Sequence, residues 1–558
     1  MKKGIFTVLV VLLMVSLLYG RPSENKYKFS FSHLDFPTYV ILDYNNIKAY
    51  FWTCGIFDQF MYENGGFHAG FYWPKWSTNT ACFTAGLSIA GKINGQLAQT
   101  VCSYKGEYTP GYILNQVAYT NDDFKFYSVK RGDSINTNPD YANWYKMVPY
   151  GAPYIDVNNN GVYDQGIDVP GLSYATQTIY ACLTDGFANS HNNGEGFGGG
   201  VTNPLMMSEL HFTAFTYNDT VLDDMQFIRF EIVNKGSANW DSTYFSIFAD
   251  PDIGYPFDDY IGCDTNRSMG YAYNGNDNDP YYGAHPPAFG IRVLQGPYVS
   301  AGDTLKMTSF NYFTNSMSGW IPCEVEPNGE PLGAYTYMRG FKKDGTPYLN
   351  PTIPLGQGTR KTKFCFSGDP ETNTGWVVPK GSFRNCSGDT TGILDTLGPT
   401  DVKFLLSTGK GGFTVHPGQK KTLYVAQLIA RGTSNLNSVT KLKEYSDLIY
   451  NIFQNNIKPF ETSISPTTVL PERFYLGQNY PNPFNPVTTI TYDLPINTYV
   501  DIRLYDITGK EIQRLVNERQ TAGTYKITFD ASELPSGIYF YRMATPTFTE
   551  SKKMVLVK

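Results

Sequence analysis

Charge is scarce in this 558-residue chain. Charged residues make up 17%, against about 25% in ordinary globular proteins. The 44 Lys and Arg set against 50 Asp and Glu leave a net charge of −6. A nucleic-acid binder needs a basic stripe, and no such excess exists here. Long apolar runs are also lacking. The main one, residues 5–18, falls short of the ~20 residues that cross a bilayer, so no membrane-spanning segment is expected in the mature chain. No pair among the eight cysteines has C-x-x-C spacing, which leaves zinc-ribbon and thioredoxin readings without support. There is no H-E-x-x-H and no G-x-S-x-G, the spacings that mark zinc proteases and serine-hydrolase elbows. No repeat of solenoid length stands out, and the 53 Gly and 34 Pro follow no three-residue period, which excludes collagen.

What the chain does have is aromatic material: 43 Tyr and 37 Phe among 16% aromatics. Aromatics and Thr suit half-buried strands, so the composition points to a β-rich extracellular protein. The first residues agree. Lys2 and Lys3 precede the short apolar run, the pattern of a secretory signal peptide over residues 1–20, and no lipid-accepting Cys follows. Export permits disulfides. Cys365 and Cys386 enclose a Gly/Pro/Asn-rich loop and are the expected local bridge. Asn94-Gly95 reads as a two-residue hairpin turn; its register puts Cys102 opposite Leu87, about 17 Å of strand away from Cys82, which argues against a Cys82–Cys102 pair.

From residue 471 apolar and polar residues alternate: Thr488-Ile490-Tyr492-Leu494, Val500-Ile502-Leu504, Tyr525-Ile527-Phe529, Tyr539-Tyr541-Met543 and Met554-Leu556. Turn residues separate these runs. Short alternating strands at such spacing predict a small antiparallel sandwich with one face of each strand in the core. Within it stand Asn479-Tyr480-Pro481-Asn482-Pro483-Phe484-Asn485-Pro486, then Tyr505-Asp506-Ile507-Thr508-Gly509-Lys510, Ala522-Gly523-Thr524-Tyr525, Ser536-Gly537-Ile538-Tyr539-Phe540-Tyr541-Arg542 and Lys552-Lys553-Met554. In this order they resemble the type A C-terminal sorting domain of type IX secretion substrates in the Bacteroidota, a fold related to the immunoglobulin-like module of flagellar hook-capping proteins. The resemblance implies the type IX secretion machinery as partner. It also implies periplasmic transit and then secretion to the extracellular space or outer-membrane surface, with the tail acting as an address.

The body reads as an N-terminal β-rich region (21–200), a β-sandwich domain ending in a helix (201–457) and a Pro/Thr/Ser linker (458–470). Residues 225–234 and 242–249 read as paired strands across Lys235-Gly236-Ser237, and 423–430 as another. One amphipathic helix is expected over 438–453, where Val439, Leu442, Tyr445, Ile449, Ile452 and Phe453 recur at helical spacing. The fold class is therefore all-β: a multidomain sandwich body with one isolated helix, plus an immunoglobulin-like antiparallel tail.

One motif carries metal chemistry. Asp156, Asn158, Asn160, the Val162 carbonyl and Asp164 occupy positions 1, 3, 5, 7 and 9 of a calcium loop, with Gly161 at 6 and Asp168 one residue beyond the usual acid. Pro153 and Pro170 exclude flanking helices. The bland alternative is an Asn/Gly turn held by its own side chains. Asp250, Asp252, Asp258, Asp259 and Asp264 form a second acidic group, readable as a weaker calcium site or as a solvated loop. Catalytic signals are faint. His33, His68, His191, His211, His285 and His416 form no pair of known spacing. Gly194-Glu195-Gly196-Phe197-Gly198-Gly199 fits G-x-G-x-x-G but follows no strand and opens no helix. Asp185, His191 and Glu195 make a bare candidate site. Arg131-Gly132-Asp133 reads as a turn, and the Trp residues, Trp73 and Trp76 among them, as packing. The reading is a secreted surface protein with a calcium-stabilised body of structural, adhesive or ligand-binding role, whose candidate partners are surface polysaccharide or other extracellular matrix. The alternative is a secreted hydrolase of extracellular polymer or peptide.

Overall fold

The computed structural model describes residues 37–61, 66–191, 196–197, 202–217, 221–300, 303–314, 322–457, 471, 473–495, 498–520, 523–546 and 548–558. The expected signal peptide (1–20), the linker (458–470) and His33 lie outside them.

The chain is all-β, as its aromatic and β-branched content requires. The body is built on two large antiparallel sheets. One runs, in spatial order, Ser309–Phe313, Lys403–Gly409, Asp241–Asp250, Thr84–Ile93, Ile56–Phe57, Lys48–Trp52, Phe71–Tyr72 and Thr80–Cys82. The other runs Thr109–Pro110, Gln177–Thr184, Ser208–Thr216, Met225–Asn234, Lys420–Ala430, Ala288–Gln295, Met269–Asn274 and Asp259–Asp264. The two face each other across one aromatic core. Phe51 and Phe57 of the first sheet meet Phe212 and Phe230 of the second at ring separations of 5.8, 6.3 and 6.4 Å. Rings at these distances combine area burial with favourable edge-to-face contact.

The domain boundary expected at residue 200 does not divide this architecture. Gln177–Thr184 pairs with Ser208–Thr216 across it, and Thr84–Ile93 pairs with Asp241–Asp250. A second expectation fails outright. Met225–Asn234 and Asp241–Asp250 are both strands, but they lie in different sheets. Each is buried almost end to end: Met225–Asn234 lies between Ser208–Thr216, which precedes it in the chain, and the distant Lys420–Ala430, while Asp241–Asp250 pairs with the distant Thr84–Ile93 and Lys403–Gly409. Trp240, wholly buried, holds the crossover, its indole N–H donating to the Met206 carbonyl at 2.9 Å.

The amphipathic helix forms over Asn435–Ile452, capped by the Ser434 hydroxyl, which accepts from the Asn437 N–H. Val439, Leu442, Ile449 and Phe453 are buried in a cluster with Met269, Ala426 and Leu428 on the outer face of the second sheet. A second helix, Pro331–Met338, has no amphipathic signature because six of its eight residues are buried.

The expected Cys365–Cys386 bridge does not form. Cys386 is bonded to Cys323, with Cα atoms 5.8 Å apart, while Cys365 is a buried thiol. A buried ion pair organises this region. The Lys342 ammonium pairs with Glu324 and also donates to the carbonyls of Phe383 (3.1 Å) and Asn385 (2.9 Å), drawing the 383–386 segment onto the 322–326 segment. The Asn94-Gly95 hairpin forms in the expected register, with Ile89 opposite Thr100, and both Cys82 and Cys102 are free thiols.

The tail is a second sandwich with its own core. A three-stranded sheet (Tyr475–Leu476, Val487–Leu494, Gly523–Asp530) faces a four-stranded one (Glu511–Gln520, Thr498–Tyr505, Gly537–Ala544, Thr549–Leu556). Ile490, Tyr492, Leu494, Val500, Ile502, Leu504, Tyr541, Met543 and Met554 are buried in one cluster, as the period-two pattern requires.

Candidate functional site

The predicted calcium loop leaves the sheet between two short paired strands, Tyr154–Ile155 and Val169–Pro170. Its turn needs left-handed backbone at Asn159 (φ 56°) and Gly161 (φ 77°). The loop brings its side chains together. The Asp156 carboxylate accepts the N–H groups of Asn160 (3.2 Å) and Gly161 (2.7 Å), and the Asp164 Oδ2 accepts the carboxamides of Asn158 (2.8 Å) and Asn160 (2.6 Å). Asp168 engages the backbone of the loop. It is buried, and its two oxygens accept the Val157 N–H (2.9 Å) and the Asp164 N–H (2.7 Å), clamping the base of the loop. The Val162 side chain is exposed, and its N–H donates to Asn160 Oδ1 at 2.8 Å.

The second acidic group separates. Asp264 pairs with Arg267 at 2.6 Å, Asp258 accepts from Asn274 at 2.8 Å, and buried Asp259 accepts the Ile253 N–H at 2.9 Å. Asp250 and Asp252 instead converge with Asp401, their carboxylate oxygens within 4.8 Å of one another. Asp401 lies about 150 residues away in sequence, so no local motif announces it. Lys403 pairs with Asp401 and stands 3.8 Å from Asp250, while the Tyr104 hydroxyl bridges Asp250 (2.8 Å) and Glu326 (3.1 Å). Burial favours the protonated form of Asp250, Asp252 and Glu326, and the neighbouring carboxylates add to it. Burial pushes Asp250 up to about 6 against the pull of Lys403, and pushes Glu326 up to about 7.

His191 is buried, its Nδ1 3.3 Å from Glu107 and its Nε2 2.8 Å from the Asp185 carbonyl. Burial alone would lower its pKa. The Glu107 carboxylate and the Asp185 charge more than reverse this and push it up to about 9. The third member of that sequence-level candidate, Glu195, lies outside the described residues, as do Gly194, Gly198 and Gly199 of the glycine motif. His68, His285 and His416 are exposed. The His211 Nε2–H donates to Glu209 Oε1 (3.0 Å) beside the buried Cys182 thiol. Arg131-Gly132-Asp133 is a turn, closed by the Lys130 N–H donating to Asp133 at 2.7 Å.

In the tail, the Asn-Tyr-Pro-Asn-Pro-Phe segment is tied to the last strands. Asn479 is buried, its N–H donating to the Tyr541 hydroxyl (2.8 Å) and its carboxamide to Thr488 (3.0 Å). Tyr541 donates to the Gly477 carbonyl at 2.6 Å, and Asn482 accepts from the Val555 N–H at 2.8 Å. Phe484 fills the core. Asp506 closes the Asp-Ile-Thr-Gly-Lys turn by accepting the N–H groups of Thr508 (2.8 Å) and Lys510 (3.1 Å), with Gly509 at φ 85°. Residues 478–558 match the family of secretion system C-terminal sorting domains. The C-terminal module is a type IX sorting domain. The match spans under a sixth of the chain. The sorting domain directs the chain to the cell surface or extracellular space. No helix among the described residues is long and apolar enough to cross a membrane.

No curated protein matches the chain. Three solved structures show distant similarity. A polysaccharide lyase is 7% identical, over 63% of this chain and 35% of that one, with a TM-score of 0.14. Dimeric latent PorU from Porphyromonas gingivalis is 10% identical, over 62% and 26%, with a TM-score of 0.13. PorZ, an essential surface component of the type IX secretion system of the same organism, is 9% identical, over 93% and 58%, with a TM-score of 0.15. The chain thus spans less than two thirds of each of these proteins, and superpositions this poor carry no argument about function.

Proposed function

We propose that this is a surface protein delivered by the type IX machinery, whose sandwich body is a calcium-stabilised structural or ligand-binding module. The observation that carries the reading is the sorting domain at 478–558. A chain lacking 471–558 is expected to accumulate in the periplasm, measured by fractionation and immunoblotting; normal surface delivery of the truncated chain contradicts the assignment.

The calcium part rests on the 156–168 loop. Its donors are hard oxygens, and positions 3, 5 and 9 already meet at Asp164. Rotating either carboxamide of Asn158 or Asn160 presents oxygen in place of nitrogen. With two neutral ligands the affinity suits millimolar extracellular calcium. At about tenfold saturation, binding to the folded state alone contributes roughly 1.4 kcal/mol. Chelator is therefore expected to lower the melting temperature, magnesium to restore it poorly, and Asp156→Ala to remove the difference. An unchanged melting curve with chelator reduces the loop to a turn.

One observation favours the alternative, a secreted hydrolase: Asp250, Asp252 and Asp401 converge beside a Glu326 raised to about 7. That reading requires the full chain to release new chain ends from a polymer, and Glu326→Gln to abolish the release.

A further inference from the structure

A cleft of about 350 Å³ opens at one end of the first sheet, lined by Lys92, Tyr244, Tyr335, Arg339, Phe341 and Lys363. Its volume lies at the lower end of the range for small-ligand sites, about 300–1,000 Å³. Its residues come from five separate stretches of sequence: the Thr84–Ile93 strand, the Asp241–Asp250 strand, the Pro331–Met338 helix with its cap, the bend after it, and the segment following Lys361–Thr362.

The walls are aromatic and the charge is of one sign. Tyr335 is fixed by its hydroxyl donating to the Ser242 carbonyl at 2.8 Å and packs edge-on to Tyr244 at 5.8 Å. Arg339 lies over the rings of Tyr335 (5.6 Å) and Phe341 (5.5 Å), and Lys363 stands over Phe341 at 5.6 Å. Ring contacts of this kind hold a cation in place without neutralising it. None of Lys92, Arg339 and Lys363 has a carboxylate within ion-pair distance among the described residues. Asp241, opposite Lys92 in the strand register, is engaged by the Thr414 hydroxyl at 2.7 Å. Three cations without an ion-pair partner among the described residues, in one concave site, are unusual in a chain whose net charge is −6. They repel one another, and an anion relieves that cost.

We infer that this cleft binds an acidic saccharide, a sugar chain bearing carboxylate or sulfate groups. The planar Arg339 guanidinium matches the paired oxygens of such a group. Lys92 and Lys363, which line the same cleft, supply two further contacts, so a ligand with charges repeated along a chain fits better than a single small anion. The chain's delivery to the cell exterior places it among such polymers. This inference rests on the body being a binding module.

The test is titration of the full chain with polygalacturonate and with dextran sulfate, followed by calorimetry, with chain length of the polymer measured afterwards. Saturable binding that weakens at high salt is expected, with Arg339→Gln and Lys363→Gln each reducing affinity about tenfold. All three cations are exposed, so melting curves should be unchanged; Lys92→Gln with Lys363→Gln is the second variant if Arg339→Gln alters folding. Absence of binding to either polymer, unchanged affinity in the folded variants, or equal binding of neutral dextran or polyglutamate each overturns the inference. Cleft-dependent binding with shortening of the polymer supports the inference and overturns the non-catalytic reading of the body.

Discussion

Asp58 shows how one buried residue contributes to the pH response of the body. It is fully buried with a left-handed backbone (φ 66°), a conformation Asp tolerates better than most residues. Its carboxyl accepts from Gln427 and, at 3.5 Å, from Gln226, which face each other in neighbouring strands of the opposite sheet. It is thus a polar link through the middle of the sandwich. Burial pushes its pKa up to about 7, although the amide donors pull the other way. In the unfolded chain the value returns to about 4. Between these two values the folded state holds the extra proton, so the stabilisation is complete below about pH 4 and is lost as pH rises through about 7. His191, raised to about 9, adds a loss of the same sign at higher pH. Melting temperature is expected to be lower at pH 8 than at pH 5. Asp58→Asn, neutral throughout, should shrink that difference and be the more stable protein at pH 8. None of this is legible in the sequence, where Asp58 is one acid among many and its partners lie far along the chain. The same holds for Asp401 and the cations of the cleft: each site is assembled by ladder register between distant strands, whereas the 156–168 loop could be read because its ligands are local.

At the level of elements, the helix Asn435–Ile452 stabilises the outer face of the second sheet through a narrow set of contacts. Leu442 is fully buried, and the backbone of Gly290 beneath it leaves no room for a side chain: a Cβ there would lie 2.9 Å from Leu442 Cδ2. Leu442→Ala is expected to cost about 2–5 kcal/mol, read by denaturant melting, because a cavity at so close a contact collapses only partly. Gly290→Ala should destabilise through crowding instead. This helix announced itself because one face is wet and one dry. The strands of the tail did so for the same reason, with Val487–Leu494 alternating along its length between core and more exposed positions. Glu511–Gln520 escaped detection because it is a charged edge strand with no buried residue. The central body strands carry no alternation either. Gln177–Thr184 is buried at all eight positions, so nothing in its pattern names its neighbours. That is why Met225–Asn234 and Asp241–Asp250, adjacent in sequence, read as a hairpin although they belong to opposite sheets.

For the whole molecule, the decisive question is whether the address folds apart from its cargo. Among the described residues, the tail's core cluster draws only on residues between 474 and 556, and its seven strands pair only with one another. The sorting motif is part of that fold's closure. Phe484 exchanges backbone hydrogen bonds with the final strand and the residue after it, the Phe484 N–H donating to the Val555 carbonyl and the Val557 N–H to the Phe484 carbonyl, both at 3.0 Å. The buried Asn479 and Tyr541 satisfy each other and the Gly477 carbonyl. A module with a complete core and satisfied buried polar groups needs nothing from the body to be stable. The fragment 471–558 is therefore expected to fold alone, with dispersed amide resonances and one cooperative melting transition. Phe484→Ala should remove about 3–5 kcal/mol from that transition, since it empties the position where the motif meets the core. If the secretion machinery recognises the folded module, the same substitution in the full chain shifts protein from the cell surface to the periplasm while the body's own melting transition stays where it was. Surface delivery undiminished in a chain whose tail is demonstrably unfolded would mean that the address is read as extended sequence.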